Sequence, residues 1–436
     1  MTDERDPDDE ALRQRVREAL EQVHRPAPGL VRRCAEAVAR RRRRTRLPAL
    51  LAGVALAAVT VAAVVAVLVQ HSIDRAPRGP LATATPSPSG LLYALTAANQ
   101  VIAMDQSTLR VRWRTAAAPP PSEALIPGAL MAMSGDGATL YVLPLPANAG
   151  GSSVVLLDAA SGRLQGSVTL SAPGGTRYRT MAVDPRTGRL LVVGQDGSHI
   201  VVTSVDPVRR LVLATQVTRT LPARAGIGDD IPYQALITAD GSRLYYSYGE
   251  ADPDRSGIDW ADRSGETLTP CASSGGAACL PGPGAGFALQ GGSVLFGDGS
   301  VPPNLVTATR AGTVLRRSAT GLAVPFADVT LDGSRTHVLA VGDCPSLGGL
   351  STIEVAGGAL QAISSPAPAG TEPSSDSACG RRPALLAGGT LAVSRLATNT
   401  AKPESPGEVD VIAPATGRIV RTASLQAEVV DLLAGR

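Results

Sequence analysis

The sequence predicts an all-β fold of repeated four-stranded units, preceded by one transmembrane helix and a short helical tail. Two kinds of hairpin signature alternate along most of the chain after residue 90, which is the first basis for this prediction. A single uncharged stretch, 47–69, is long enough to cross a bilayer as a helix. The 46 glycines and 34 prolines, with only 3% aromatic residues, favour many tight turns over a core of large rings.

The first hairpin signature is a tight turn between two apolar strands. It occurs at 131–143, 181–193, 235–247 and 328–340, with the turn aspartates Asp136, Asp184, Asp240 and Asp332. Two further copies, at 287–297 and 384–394, carry Gly-Gly at the turn. Asp-Gly and Gly-Gly are typical of hairpin turns because these residues tolerate positive φ. We therefore interpret the aspartates as turn residues rather than as an acidic ring that binds a ligand.

The second hairpin signature follows the first by about 20 residues and completes a four-stranded unit. Its copies lie at 99–115, 152–170, 198–217, 303–319, 350–364 and 407–425. A repeat of about 50 residues fits seven times between Leu91 and Arg436. Six or eight repeats also fit, because insertions blur two of the periods, and the strands between residues 252 and 286 are the least certain.

The repeats resemble the YVTN or WD40-like bacterial β-propeller repeat. The resemblance is closest at 407–425, where a V-x-V-I strand is followed by a turn ending in T-G and by I-V-x-T. It implies a seven-bladed β-propeller over 91–436, since one four-stranded blade cannot bury both of its faces alone. The first repeat lacks its innermost strand, and 428–436 adds one strand after the last repeat. We expect that strand to complete the first blade and close the ring.

The apolar segment 47–69 is predicted to be a retained signal-anchor that crosses the membrane once. The segment and the 46 residues before it are both too long for a cleaved signal peptide. An arginine cluster directly before it places the N-terminus in the cytoplasm of the cell and the C-terminal domain outside the membrane. These topology determinants are Arg40, Arg41, Arg42, Arg43, Arg44 and Arg46.

The regions on either side of the anchor differ in charge and composition. The cytoplasmic tail, 1–46, contains apolar residues at helical spacing, which fits a solvated tail that sets topology or a docking surface for a cytoplasmic partner on 1–39. The linker, 70–90, is rich in Pro, Ser and Thr. The remainder of the chain is nearly neutral, so the sequence does not indicate a nucleic-acid surface.

Four cysteines lie in the predicted extracytoplasmic domain: Cys271, Cys279, Cys344 and Cys379. An even number in an oxidising compartment suggests two disulfides, and we favour the local pairs Cys271–Cys279 and Cys344–Cys379. Unpaired buried thiols remain the alternative. Neither pair has the spacing of a zinc finger, so the sequence predicts no metal site there and no cofactor.

The insertion 252–263 partly matches a calcium-binding loop. Asp252, Asp254, Ser256 and Asp259 supply oxygen ligands at suitable spacing, and Asp262 offers another. The twelfth position is Arg263 instead of glutamate, which favours a solvated acidic loop.

The sequence contains no recognisable catalytic constellation: its two histidines after the anchor, His199 and His337, each lie within a strand signature. The leading hypothesis is a membrane-anchored extracytoplasmic propeller that binds or senses a protein or small-molecule ligand on its rim and has no catalytic residues. One alternative is a propeller hydrolase of the lactonase type, and the other is an assembly scaffold of the cell envelope.

Overall fold

The computed structural model describes residues 90–121, 129–145, 152–170, 176–196, 199–220, 231–249, 257–271, 278–281, 286–298, 300, 304–319, 326–332, 335–341, 347–354, 360–363, 379–396, 406–413, 416 and 418–435. The chain divides into two compact units, Met1–Thr83 and Ala84–Arg436. The first unit lies outside the described residues, so the predicted tail and the signal-anchor 47–69 stay untested. Within the described ranges, no helix has the length and apolar character needed to cross a membrane.

Seven antiparallel sheets contain the strands of the described residues. The first sheet contains β1 (Leu91–Thr96), β2 (Gln100–Asp105), β3 (Val111–Ala116) and, from the C-terminus, β29 (Val429–Ala434). The second contains β4 (Met131–Met133), β5 (Thr139–Val142), β6 (Ser152–Asp158) and β7 (Leu164–Leu170). The third contains β8 (Arg177–Val183), β9 (Leu190–Asp196), β10 (His199–Asp206) and β11 (Leu211–Thr220).

The remaining four sheets follow in chain order. The fourth contains β12 (Ile231–Ile237), β13 (Arg243–Gly249), β14 (Gly257–Ser264), β15 (Thr267–Pro270) and the short β16 (Leu280–Pro281). The fifth contains β17 (Ala288–Gln290), β18 (Ser293–Gly297), β19 (Asn304–Thr309) and β20 (Val314–Ala319). The sixth contains β21 (Phe326–Asp332), β22 (Arg335–Val341), β23 (Leu347–Glu354) and β24 (Leu360–Ile363). The seventh contains β25 (Cys379–Leu385), β26 (Leu391–Leu396), β27 (Gly407–Ala413) and β28 (Arg418–Leu425).

The sheets follow one another around a common centre, and the predicted all-β propeller class is confirmed. Six sheets are built from strands that are consecutive in the chain, whereas the first combines β1–β3 with β29. The innermost strands β29, β4, β8 and β12 contact one another in this order, and so do β17, β21, β25 and β29. Buried side chains of the fourth and fifth sheets pack together and join these two series. Between residues 252 and 286, where the sequence predicts strands least clearly, β14, β15 and β16 complete the fourth sheet.

Burial explains why the strands have such different sequences. All six residues of β1 are buried, because neighbouring sheets cover both of its faces, and its sequence LLYALT is almost continuously apolar. The outermost β28 alternates exposed and partly buried residues along RIVRTASL, since only one of its faces meets another sheet. The pattern of apolar residues in a strand therefore indicates how far that strand lies from the centre of the ring.

The C-terminal strand closes the ring, as predicted. β29 pairs antiparallel with β1, and Asp431 accepts hydrogen bonds from the backbone N–H groups of Leu130 (2.8 Å) and Met131 (2.7 Å) in the second sheet. Gln106 links the first sheet to the seventh, because its amide donates to the Gly435 carbonyl (3.1 Å) and accepts from the Ala387 N–H (2.8 Å). Strand pairing and side-chain hydrogen bonds thus both hold the ends together.

The turns between the outer strands of the first three sheets share one local design. In the turn after β6, the Asp158 carboxylate accepts from the Ser161 N–H (2.8 Å), and Gly162 donates to the Asp158 carbonyl (2.8 Å). Gly162 has φ +70°, and a Cβ atom there would lie 2.4 Å from the Trp113 ring of the first sheet. Glycine is therefore needed at this turn for both its backbone angle and the close approach of the neighbouring sheet.

Asp298, in the connection between β18 and β19, tests how much a turn carboxylate stabilises the domain. Burial raises the pKa of Asp298, but hydrogen bonds from Ser300 and Asn304 outweigh it and lower the pKa from 3.8 to about 2. Because the pKa of Asp298 is lower in the folded chain than in the unfolded chain, the ionised carboxylate stabilises the fold at pH values above 3.8. This stabilisation is lost as pH falls through about 2. We expect Asp298→Asn to lower the free energy of unfolding by about 2 kcal/mol at neutral pH. Urea unfolding at several pH values measures this, and a difference from the wild type that persists at pH 2 would contradict the prediction.

Candidate functional site

The third and fourth sheets enclose a buried cluster of ionisable side chains between them. β14 pairs with β13 so that Asp259 lies opposite Tyr246, and Tyr248 lies two residues further along the same face. Arg219 comes from β11, the outermost strand of the third sheet. We call Arg219, Tyr246, Tyr248 and Asp259 the Arg219 cluster.

An ion pair forms the centre of the Arg219 cluster. The Nη1 atom of Arg219 donates to Oδ2 of Asp259, and the two side chains are only 6% and 2% exposed. The guanidinium carbon of Arg219 also lies 5.0 Å from the centre of the Tyr248 ring, within the range of a cation–π contact. The second carboxylate oxygen of Asp259 accepts from the backbone N–H of Cys279 at 2.8 Å. Both oxygens of the buried carboxylate are therefore engaged.

The buried setting raises the pKa values of Asp259, Tyr246 and Tyr248. Burial raises the pKa of Asp259, and the charge of Arg219 offsets only part of this effect. Burial, followed by the charge of Asp259, raises the pKa values of Tyr246 and Tyr248 well above the ordinary tyrosine value. The low-dielectric environment disfavours every added negative charge. The charge of Arg219 is the largest of the interactions that favour the ionised form of Asp259.

A disulfide lies beside the Arg219 cluster. Cys271 and Cys279 are joined, with their Cα atoms 6.5 Å apart, and both residues are partly exposed. An oxygen of Asp259 and the two sulfur atoms lie within 4.8 Å of one another. The second favoured pair stays a prediction, because Cys344 lies outside the described residues, whereas Cys379 begins β25.

The calcium-loop candidates are only partly described by the structure. Asp252, Asp254 and Ser256 lie outside the described residues, so the ligand role proposed for them is not tested. Asp259 lies within β14 rather than in a loop, and its two oxygens bind Arg219 and the Cys279 N–H. The calcium role of Asp259 stays a prediction, because the residues that would share the ion with it are not described.

Trp260 lies on β14 and packs against the buried residues between the fourth and fifth sheets. Its ring lies 6.1 Å from that of Tyr245, and the guanidinium carbon of Arg243 lies 5.4 Å from its centre. Arg243 also forms an ion pair of 2.5 Å with Asp262. These contacts give Trp260 and Asp262 structural partners.

Asp136, Asp184 and Asp240 behave as turn residues, whereas the side chain of Asp332 is not described. Asp136 accepts from the Ala138 N–H (3.0 Å), and Asp240 accepts from the Ser242 N–H (3.1 Å). Asp184 has an additional role, because its buried carboxylate pairs with Arg263 of the next sheet. Nothing in the sequence indicates this ion pair between the third and fourth sheets.

The two histidines are placed by their strands. His199 opens β10 opposite Asp196, and His337 lies within β22 opposite Thr330. Both therefore lie in paired strands, as the signatures predict.

Arg219 is the residue of the cluster that sequence reasoning did not find. It ends the segment TQVTR, in which nothing distinguishes it from the many surface arginines of this chain. Its partner Asp259 is 40 residues away and belongs to another sheet. Only the packing of the third sheet against the fourth brings the two charges together.

A second surface feature is the distribution of exposed apolar side chains. In the part of the chain with described side chains, every large exposed hydrophobic residue lies on an outermost strand or in the turn leading to one. They are Val111, Leu164, Val208, Leu211, Val217, Val314, Leu315 and Val420. We call this surface the outer rim. Val208 is the most exposed of them, at 89%.

The second and third sheets bring part of the outer rim together. Arg210 donates from its Nη2 atom to the backbone carbonyl of Gln165 at 2.6 Å. The neighbouring residues Leu164 and Leu211 therefore lie on the same part of the rim, with Val208 in the adjoining turn. We call Leu164, Val208 and Leu211 the rim patch.

The fold and these surfaces define a β-propeller repeat protein, and a family comparison agrees. Residues 75–246 match the family described as outer membrane protein assembly factor BamB. The match covers less than half of the chain. No curated protein matches the chain.

Solved structures resemble the chain at the level of the fold. The periplasmic gluconolactonase of Pseudomonas aeruginosa is 16% identical with a TM-score of 0.51, over 78% of this chain and 98% of that one. A protein of unknown function from Desulfotomaculum acetoxidans is 11% identical with a TM-score of 0.52, over 78% and 96% of the two chains. At these identities the likeness concerns the fold alone.

Proposed function

We propose that the chain is a membrane-anchored binding propeller that holds a protein partner in the cell envelope. In this proposal 47–69 is the single membrane span, 1–46 is cytoplasmic, and the seven sheets form a seven-bladed ring outside the membrane. The grouping of Leu164, Val208 and Leu211 in the rim patch supports the proposal, because exposed apolar patches mark protein contacts. The partial match to an assembly-factor family favours a protein over a small-molecule ligand.

The rim patch is the place where we expect the partner to bind. Leu164 is 62% exposed and Val208 is 89% exposed, so both have large apolar area to bury. Burying a side chain of this size contributes about 1.5–3 kcal/mol. Loss of either contact therefore weakens binding by about tenfold or more.

Photocrosslinking in native membranes tests the proposal. A photoreactive amino acid at Val208 of the full chain is expected to capture one protein partner. Ser107 is the matched control, since it follows Asp105 in the equivalent turn of the first sheet and is also exposed. Leu164→Asp is expected to abolish the crosslink from position 208, while Leu315→Asp on the fifth sheet leaves it intact.

Two outcomes would count against this function. Equal or absent protein capture at positions 208 and 107 would remove the rim patch as a binding surface. One tightly bound divalent ion per oxidised chain, together with lactone hydrolysis, would instead favour the propeller hydrolase.

A further inference from the structure

We propose that the Cys271–Cys279 disulfide, once reduced by a dithiol, becomes a zinc site whose third protein ligand is Asp259. The three donor atoms already lie within 4.8 Å of one another while the sulfur atoms are bonded. The site is thus a redox-controlled metal site beside the Arg219 cluster. This inference does not depend on the proposed binding function.

The donor set suits zinc. Zinc binds thiolate sulfur and carboxylate oxygen in tetrahedral sites, and three protein ligands leave a fourth position for water. Two thiolates, one carboxylate and Zn²⁺ carry a net charge of −1, which the guanidinium of Arg219 neutralises. The arginine that balances Asp259 in the oxidised protein therefore also balances the loaded site.

The surroundings hold Asp259 in position as a ligand. Arg219 binds one carboxylate oxygen and the Cys279 N–H binds the other. A carboxylate has about four lone-pair directions, so two of them remain for a metal ion. Groups that hydrogen-bond to a ligand in this way typically orient it and strengthen metal binding.

The backbone keeps both cysteines in place when the disulfide opens. The Cys271 N–H donates to the Trp260 carbonyl at 2.9 Å, and Cys279 directly precedes β16, which pairs with β14 through Ile258 and Leu280. These contacts do not involve sulfur. Reduction therefore leaves two thiols close together instead of releasing them.

The reduction and the metal binding need only the dithiol and Zn²⁺ as reactants. The dithiol transfers two electrons and two protons, the bond between the two sulfur atoms breaks, and the dithiol becomes a cyclic disulfide. Zn²⁺ then displaces the two thiol protons into solvent as both sulfur atoms become thiolate ligands. Both cysteines are partly exposed, which gives the dithiol and the ion access.

Cobalt titration of the full chain tests the site. Cys34, Cys344 and Cys379 are changed to serine so that only the proposed pair responds. The chain is reduced with dithiothreitol and freed of it without oxygen, and Co²⁺ is added as a spectroscopic probe. We expect one Co²⁺ per chain with a thiolate-to-cobalt charge-transfer band, displaced by one Zn²⁺ and absent from the unreduced chain. A reduced chain without this band would overturn the proposal.

The role of Asp259 is tested by comparing a variant of Asp259 with a variant of Asp262, a second carboxylate on the same strand. Asp259→Asn is expected to weaken zinc binding by about tenfold or more, whereas Asp262→Asn leaves it unchanged. Equal affinity in both variants would overturn the role of Asp259. If Asp259→Asn does not fold, X-ray absorption of the reduced zinc-loaded chain decides: two sulfur and two lighter donors support the site, and a shell of sulfur alone contradicts it.

Discussion

Removal of residues 429–436 is expected to cost the propeller most of its stability. Without β29, the fully buried strand β1 becomes an open edge at the centre of the ring. Val429, Val430 and Leu432 are at most 5% exposed, and each contributes about 1.5–3 kcal/mol by burial. Their sum approaches the whole stability of about 5–15 kcal/mol that is typical of a domain.

Urea unfolding and limited proteolysis of the full-length and truncated chains measure this loss. Asp431→Asn is the milder companion variant, because it keeps the strand and weakens the bonds to Leu130 and Met131. We expect rapid proteolysis after truncation and a loss of about 1–3 kcal/mol for Asp431→Asn. A truncated chain as resistant as the complete one would show that β29 does not hold the ring closed.

Replacement of Arg219 by alanine is expected to destabilise the domain by about 3–5 kcal/mol. The change leaves the Asp259 carboxylate buried without its counter-ion. The cost shrinks at acid pH, because burial has already raised the pKa of Asp259 and protonation removes the unpaired charge. The double variant Arg219→Met, Asp259→Leu is expected to recover most of the loss, since it leaves no buried charge.

An exposed ion pair is the control for this effect. Arg112 pairs with Asp105 at 2.8 Å, but its side chain is 60% exposed. We expect Arg112→Ala to change stability by less than about 1 kcal/mol. Unfolding curves of the four chains across pH give the comparison, and a similar cost for Arg112→Ala and Arg219→Ala would refute the assignment to burial.

The strands and turns were predictable because their determinants are local. The hairpins at 131–143 and 181–193 appear as β4–β5 and β8–β9, since alternation and turn residues act within a few positions. The pairing of β29 with β1 was predictable too, because the first repeat lacks one strand and the chain has one extra strand after the last repeat. The fourth sheet was less clear, since its insertion interrupts the period that reveals the other repeats.

The candidate site was only partly predictable. The proximity of Cys271 and Cys279 in sequence suggested their disulfide, and Asp259 was noticed as a possible oxygen ligand. Sequence spacing placed Asp259 in a loop, whereas pairing with β13 places it in a buried strand. The partner Arg219 had no signal at all, because its role depends on a sheet formed by another part of the chain.

By itself, the sequence determined the repeated hairpins, the closing strand and the location of the turns, because periodicity and turn chemistry act over short distances. The tertiary structure alone decided which charges meet between sheets and which apolar side chains stay on the outer rim. Both depend on the packing of one sheet against the next, and residues far apart in the chain reach each other only when the ring has closed.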